Sequence, residues 1–483
     1  DGGAGKDRLF GDHGRDILRG GGGNDRLDGG RGTDTAIFSG DRNDYQIVTR
    51  HDVTWVRDIS GRDGWEGTDT LRHIEYLRFA DQTLPIGKGV AELRGGPEFQ
   101  VNSTVGGNQG GGTNQNAAAL KDGGFVVTWN SEGHDDTEFD IGIFGQRFDA
   151  DGKQRGEEFQ VNSFTVGDQA SSTVAGLKDG GFIVTWSSAP QDGSGFGVYA
   201  QRYDASGSPK GGEFRVNTYT EENQANSNVA ALKDGGFVIT WDSRDQDGSG
   251  NGVYGQMFGA DGSPAGEEFR VNTYTDDNQE SSYVASLKNG DFVVTWTSLG
   301  QDGSSLGIYG QMFDGSGERI GGEFRVNSGT DGVQYLSSAT PLDDGGFVVS
   351  WTSQAQQGGS VNGIFAQIYD AAGMPVGGEF RVNTSNQGSS GGSLGTPLKD
   401  GGFLLAWHFL EQGDNDYDVY AQRFDEAGER VGGEFGVNDW TDGSQFTSGL
   451  ATLKDGDVAA VWSGTGPEDP DGVFARMYDC VLV

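Results

Sequence analysis

The chain has 483 residues, with 34 lysines and arginines against 72 aspartates and glutamates, a formal charge of −38 at pH 7. That balance argues against nucleic acid and anionic membrane surfaces as partners, because both require a basic patch, and it makes cations the expected partners. The 87 glycines, with only 10 prolines and no long apolar run, argue against a membrane span and for many tight turns. The length is enough for two or more domains. One cysteine, Cys480, rules out an intramolecular disulfide framework and reads as an unreactive thiol. Asp1, Gly2 and Gly3 look like the inside of a repeat, so a longer parent chain is expected.

Residues 2–37 divide into four nonapeptides starting at Gly2, Gly11, Gly20 and Gly29, each with aspartate at the sixth place: Asp7, Asp16, Asp25 and Asp34. A period of nine suits one half-turn of a parallel β-roll, with inward leucines at Leu9, Leu18 and Leu27. Turns on the same side are then 18 residues apart, which brings Asp7 near Asp25 and Asp16 near Asp34. Glycine carbonyls lie alongside, an all-oxygen cage suited to Ca²⁺. The stretch resembles the RTX repeat, GGxGxDxUx, of secreted calcium-binding proteins. The resemblance implies Ca²⁺ bound between stacked turns by the four aspartates and by backbone carbonyls at Gly3, Gly5, Gly14, Gly21, Gly23, Gly30 and Gly32. Asp12 departs from the pattern at the second glycine, a substitution compatible with the turn. Carboxylate repulsion in a roll with little core predicts calcium-gated folding. The same resemblance implies export by a bacterial type I system and an extracellular or cell-surface location. The final residues, Asp479 to Val483, resemble the acidic-then-apolar end of some such substrates.

Residues 38–90 resemble the segment that follows the roll in serralysin-type proteins, through Asp44 to Val48, Gly67 to Leu71, and Ile74 to Phe79 with Asp81. Alternating runs around Tyr45 and Trp55 read as strands that cap the roll. Asp69 and Glu75 either complete a further calcium site or belong to a cap without metal.

From there to the end one phrase recurs, Asp-Gly-Gly-Phe-Val-Val-Thr-Trp and its near copies. Its tryptophans are Trp129, Trp186, Trp241, Trp296, Trp351, Trp407 and Trp462, spaced by 57, 55, 55, 55, 56 and 55 residues. Each copy reads as four antiparallel strands, for example Asn228 to Leu232, Phe237 to Trp241, Gly252 to Phe258 and Glu268 to Asn272. Seven such units predict a β-propeller over residues 96–479 rather than an open solenoid. The last copy lacks its fourth strand, while a spare one, Glu98 to Asn102, precedes the first copy, so the N-terminal strand is expected to close the ring. The fold class is therefore all-β: a short parallel roll over 1–37, its β-rich cap over 38–90, and a seven-bladed propeller. The tryptophans, with Phe144, Tyr199, Tyr254, Tyr309, Phe365, Tyr420 and Phe474, are expected to pack between blades.

Loops joining strands two and three, and those joining successive blades, share one face and are the variable ones, which nominates that face for binding. A glutamine precedes strand one in every copy: Gln109, Gln169, Gln224, Gln279, Gln334, Gln387 and Gln445. These either ring a ligand at the channel mouth or satisfy backbone groups. Asp245 and Asp247 are spaced like calcium-loop ligands in an incomplete pattern, for which a solvated turn is the simpler account. Catalytic signals are thin. His134 with Asp135 and Asp136, or His408 with Glu411, can be written as acid–base pairs, but such pairs arise freely among 72 acids. The reading is a secreted calcium-binding protein whose propeller is a non-catalytic binding or structural module, acting in adhesion, glycan contact or surface assembly. The alternatives are an extracellular polysaccharide-acting enzyme with its site at the channel mouth, and a propeller serving only as spacer for residues preceding Asp1.

Overall fold

The structure, a computed structural model, describes the chain apart from residues 12, 15, 33, 51–52, 62–63, 86–90, 105–106, 111–114, 134–139, 304, 355–361, 386, 468 and 483. Apart from one 3-10 turn at Arg42–Asp44, every regular element among the described residues is a strand. The chain divides into two compact units, Asp1–Arg94 with Asp479–Val483, and Gly95–Tyr478.

In the first unit the nonapeptides wind into parallel rungs on two sides. Arg8–Phe10 pairs in parallel with Arg26–Asp28, which pairs in parallel with Thr68–Arg72. On the other side Ile17–Leu18 pairs with Thr35–Ile37, and that strand with Tyr76–Arg78, again in parallel. The rung at Thr68–Arg72 then continues antiparallel into Val53–Asp58 and Tyr45–Arg50. One small core runs through the middle, with Leu18, Leu27, Ala36, Val56, Leu71 and Leu77 all buried. Stacking is close because the turns carry no side chains: a Cβ at Gly23 would lie against the carbonyl of Gly5, and its φ of 134° suits glycine.

The second unit is the seven-bladed propeller. Blade three shows the plan: Gln224–Ala231, Phe237–Arg244, Asn251–Phe258 and Phe269–Arg270 form an antiparallel meander. Strand one is innermost, since it packs on strand one of the next blade all round the ring. It also starts four residues earlier than the alternation of polar and apolar residues predicts. A bulge shifts its register, with left-handed residues at Ser171, Asn226, Ser281 and Leu336 in blades two to five.

The seventh blade is built from both ends of the propeller segment: Gln445–Thr452, Val458–Gly464 and Gly472–Leu482 are joined by Ala91–Gln100. All seven tryptophans are at most 1% exposed, and Trp129, Trp186, Trp241, Trp296, Trp351 and Trp407 sit in cores shared by adjacent blades. A second aromatic, at the end of strand three, contributes more to those seams than the pattern suggested. The strand-four phenylalanine of each blade packs on it across the seam: Phe159 on Tyr203, Phe214 on Phe258, Phe269 on Phe313, Phe324 on Tyr369, Phe380 on Phe424 and Phe435 on Tyr478. Phe99 on Phe148 makes the seventh, at 5.6 Å between ring centroids, and so closes the series.

Candidate functional site

The repeat aspartates form two ladders. Asp7 N–H donates to Asp25 Oδ1 at 2.9 Å and Asp25 N–H to Asp69 Oδ1 at 2.8 Å. On the other side Asp16 N–H donates to Asp34 Oδ1 at 2.8 Å and Asp34 N–H to Glu75 Oε2 at 2.6 Å. Asp69 and Glu75 thus occupy the next rung of each ladder, although they lie 44 and 41 residues beyond their donors rather than 18.

One oxygen of each repeat carboxylate therefore holds a backbone amide. The other, Oδ2 of Asp7, Asp16, Asp25 and Asp34, is buried with no protein donor. Carbonyls converge on the same points. A Cβ at Gly2 would lie 2.7 Å from Gly20 O and 2.9 Å from Asp7 Oδ2; at Gly11, 2.6 Å from Gly29 O and 2.8 Å from Asp16 Oδ2. A Cβ at Gly20 would lie 2.5 Å from Asp25 Oδ2 and 3.0 Å from Asp69 Oδ2, so those two carboxylates face one another. Burial, with the charges of Asp25 and Glu66, raises the Asp69 carboxyl to about 7 against the hydrogen bond from Asp25. Acceptors gathered without donors are costly unless a hard cation completes them, and these residues fit Ca²⁺. Of the candidate carbonyl glycines, Gly3, Gly5, Gly21, Gly23 and Gly30 take left-handed turns, whereas Gly14 and Gly32 face each other in the short parallel pair His13–Gly14 and Arg31–Gly32. Asp12 lies outside the described residues.

A carboxylate missed in the sequence holds the strands beside the ladder. Glu66 is buried and accepts the Tyr45 hydroxyl, the Ser39 hydroxyl at 2.9 Å and Ser39 N–H at 3.2 Å. Nothing in its spacing marks it out.

On the propeller, six of the seven glutamines, Gln109, Gln169, Gln224, Gln279, Gln334 and Gln445, are buried. Their amides donate to loop carbonyls, as Gln224 does to Glu221 O at 2.7 Å and Gln279 to Asp276 O at 2.8 Å. Gln387 is exposed just before blade six's strand one, and Ser390 takes the corresponding place inside the blade, accepting from Asn383 Nδ2 at 3.3 Å. These glutamines belong to a larger latch that was not read from the sequence. The asparagine ending each strand-four motif accepts a strand-three N–H: Ile143 to Asn162, Val198 to Asn217, Val253 to Asn272, Ile308 to Asn327, Ile364 to Asn383 and Val419 to Asn438, all at 2.7–2.9 Å. Val473 N–H donates to Asn102 at 2.8 Å, completing the seventh from the other end of the propeller segment. A glutamate belt runs beside it, from Glu158 accepting Ser103 N–H to Glu98 accepting Asp439 N–H.

The calcium-loop candidates separate. Asp245 is exposed and faces Arg244 at 3.8 Å, whereas Asp247 Oδ2 is buried without a partner and its Oδ1 accepts Ser249 N–H at 3.4 Å. His134, Asp135 and Asp136 lie outside the described residues.

At two seams of the variable face three positions converge: the residue after one blade's tryptophan, the first residue of that blade's strand three, and, on strand one of the next blade, the residue that pairs with that blade's own post-tryptophan position. At the seam of blades three and four they are acidic and amide. Asp242 is 4% exposed, and its Oδ2 accepts Asn226 Nδ2 at 3.0 Å and Ser281 N–H at 2.9 Å while Oδ1 has no partner. Burial, reinforced by Glu280, raises its carboxyl to about 7 despite those hydrogen bonds. Glu280 in turn accepts Asn251 Nδ2 at 3.1 Å. At the seam of blades six and seven the positions are aromatic, with His408 edge-on to Tyr417 and Phe446. Burial pushes His408 down to about 4, so its ring is neutral at pH 7. A groove of about 830 Å³ between the outer strands of blades five and six contains Arg381 and Arg430, which donate to Ser385 O and to Arg381 O and Val382 O.

Fold and site together define a calcium-repeat roll joined to a seven-bladed β-propeller. The family model of the RTX calcium-binding nonapeptide repeat, in four copies, matches residues 1–36. No curated protein matches the chain. Among solved structures, an ulvan lyase of polysaccharide lyase family PL25, bound to -[GlcA(1-4)Rha3S]-, superposes with a TM-score of 0.51 at 12% identity, covering 80% of this chain and 96% of that one. A second structure of such a lyase gives 0.50 at 12% identity, over 78% and 95%. A protein of unknown function from Dyadobacter fermentans DSM 18053 gives 0.48 at 13% identity, over 80% and 99%. At these identities the likeness is one of fold.

Proposed function

We propose that this is a secreted or surface-attached bacterial protein. In this reading residues 1–37 fold around Ca²⁺, residues 38–90 cap the roll as in serralysin-type proteins, and the propeller over 96–479 is a non-catalytic module that binds glycan. The observation that carries it is the set of four buried, donorless Oδ2 atoms on Asp7, Asp16, Asp25 and Asp34. Gly3, Gly5, Gly14, Gly21, Gly23, Gly30 and Gly32 would add carbonyls, with Asp69 and Glu75 closing the last rungs. Bound cation would supply the charge that lets these carboxylates stack. For the propeller, the support is a rigid ring whose diversity is gathered on one face. The acidic chain argues against an anionic polymer such as the ligand of the ulvan lyase, and for a neutral one.

Calorimetry of the whole chain with millimolar Ca²⁺ and with chelator tests this. The expected outcome is a transition for the first unit that appears only with Ca²⁺, while the propeller transition stays. Identical traces under both conditions would overturn the calcium reading, and a screen against immobilised glycans tests the second half.

One observation favours an enzyme instead: Asp242, Glu280 and Asn251 gather two carboxyls and an amide at one seam of the variable face, and burial raises the Asp242 carboxyl toward the range of a general acid. Release of new chain ends from a polysaccharide by the wild type, lost in Asp242→Asn, would establish that reading.

A further inference from the structure

The repeat places the same three positions beside every seam of the variable face, so the seams can be compared as variants of one design. The residue after the tryptophan is Asn130, Ser187, Asp242, Thr297, Thr352, His408 or Ser463. The strand-one residue that the next blade brings to it is, in the same order, Ala170, Ala225, Glu280, Tyr335, Gly391, Phe446 or Gly110. A ring follows the tryptophan only at His408.

The surrounding chain is altered to hold that ring. Strand one of blade six, Gly388–Pro397, reads Gly-Ser-Ser-Gly-Gly at its start. A Cβ at Gly391 would lie 2.9 Å from His408 Nε2, and one at Gly392 would overlap the ring outright. Three rings then form one cluster, with centroids 5.3 Å apart for each pair and interplanar angles of 81°, 76° and 39°. Phe446 remains 37% exposed and Tyr417 is half-buried. Rings packed this way against each other present a wet apolar platform rather than a cage. Blade packing does not require it, since the other six seams do without. Its rim is acidic: Glu411, Asp414, Asp416 and Asp418 lie on the adjoining strand ends and loop, with Ser444 Oγ donating to Asp416 Oδ1 at 3.3 Å.

We propose that Phe446 and Tyr417, braced by His408, form a stacking subsite for an uncharged pyranose residue of a glycan. The proposal rests on the glycan-binding reading above. A pyranose offers a face of C–H groups that carry partial positive charge, matched to the negative face of an aromatic ring. Its hydroxyls are donors, matched to the carboxylates of the rim. A uronate or sulfate would meet like charge there. A cationic ligand would find carboxylates but no enclosing set of ring faces.

The whole calcium-loaded chain is titrated calorimetrically with cellohexaose, xylohexaose and mannohexaose, with oligogalacturonate as the anionic probe and trimethyllysine as the cationic one. The expected result is binding of at least one neutral hexaose, no binding of oligogalacturonate, and Kd at least about tenfold weaker in Phe446→Ala and Tyr417→Ala. Phe446→Tyr, which keeps the ring, should restore most of the affinity. Both alanine variants must keep the propeller's melting transition; if Tyr417→Ala does not, the exposed Phe446 pair decides. If a neutral glycan binds equally well to both alanine variants, the subsite is wrong while the glycan reading stands. If no neutral glycan binds, both fall. Capture of trimethyllysine or oligogalacturonate that depends on Phe446 overturns the ligand class.

Discussion

At the scale of single residues, repeats serve as internal controls. Ser187 and Thr352 occupy the place of Asp242 and accept the same kind of bulge N–H, at 3.2 and 3.3 Å, with a neutral hydroxyl. A carboxyl there is more than the backbone needs. Its folded pKa is raised to about 7 against an unfolded value of 3.8, so between these values the folded state binds the extra proton. Stability therefore falls as pH rises from about 4 to about 7 and is level above that, by up to roughly 4 kcal/mol. Asp242→Ser is expected to melt higher than the wild type at pH 8, with the gap closing by pH 5; parallel pH profiles would refute the assignment. The tryptophans supply a second contrast. The indole N–H groups of Trp186, Trp241, Trp296, Trp351 and Trp407 are buried without acceptors. Trp241→Ala should cost about 3–5 kcal/mol through its cavity. Trp241→Phe removes the unpaired donor along with some volume, and should cost less than about half as much. Equal losses in denaturant titrations would show that the N–H has a role.

At the scale of elements, the sequence carried the two aspartate ladders almost entirely, because a nine-residue period returns the sixth place of alternate nonapeptides to the same column. It carried the meanders too, since turn residues punctuate alternating runs. It did not show where strand one begins. Left-handed Ser171, Asn226 and Ser281 break the period-two pattern, and a bulge residue is chosen for backbone geometry rather than polarity. Nor did it show the latches. Asn272 reads as the polar end of a strand and Glu268 as a solvated charge, yet they accept backbone N–H groups of Val253 and Thr218. The glutamines were visible as a series, but a series alone does not distinguish a ring of ligands from a ring of backbone partners. Asn272→Ala leaves the buried Val253 N–H and the Gln279 carbonyl oxygen without partners, at a cost of about 2–4 kcal/mol. Asn102→Ala removes the matching bond from Val473 N–H, with the one from Asn102 Nδ2 to Asp469 Oδ2 in place of the glutamine, where the ends of the propeller segment meet. Similar equilibrium losses are expected for the two variants, but faster unfolding in Asn102→Ala, because that junction alone lacks a covalent connection between neighbouring strands. Equal unfolding rates would show that opening starts elsewhere.

At the scale of the whole molecule, the two units rest on opposite principles. The roll is built of carboxylates and glycine, with a small core and unpaired acceptors that call for a cation. The propeller needs no such partner for its core: adjacent blades share buried clusters all round, and closure removes the exposed strand edges of an open array. Both architectures were legible because both are periodic. What stayed hidden was the chemistry of the seams, since Asp242, Glu280 and Asn251 are scattered in the chain and meet only through the ring.

That ring also sets a timetable. Three contacts from Glu98, Phe99 and Asn102 wait for Asp439, Phe148 and Val473, and only the second partner lies close by in the chain. If the polypeptide is delivered end-first, whichever end leads, early blades can form as they arrive, but the clasp cannot shut until the far end is out. Completion is thereby made a checkpoint: a truncated product keeps a loose strand and an unsealed blade, and only the full-length propeller segment presents the finished face.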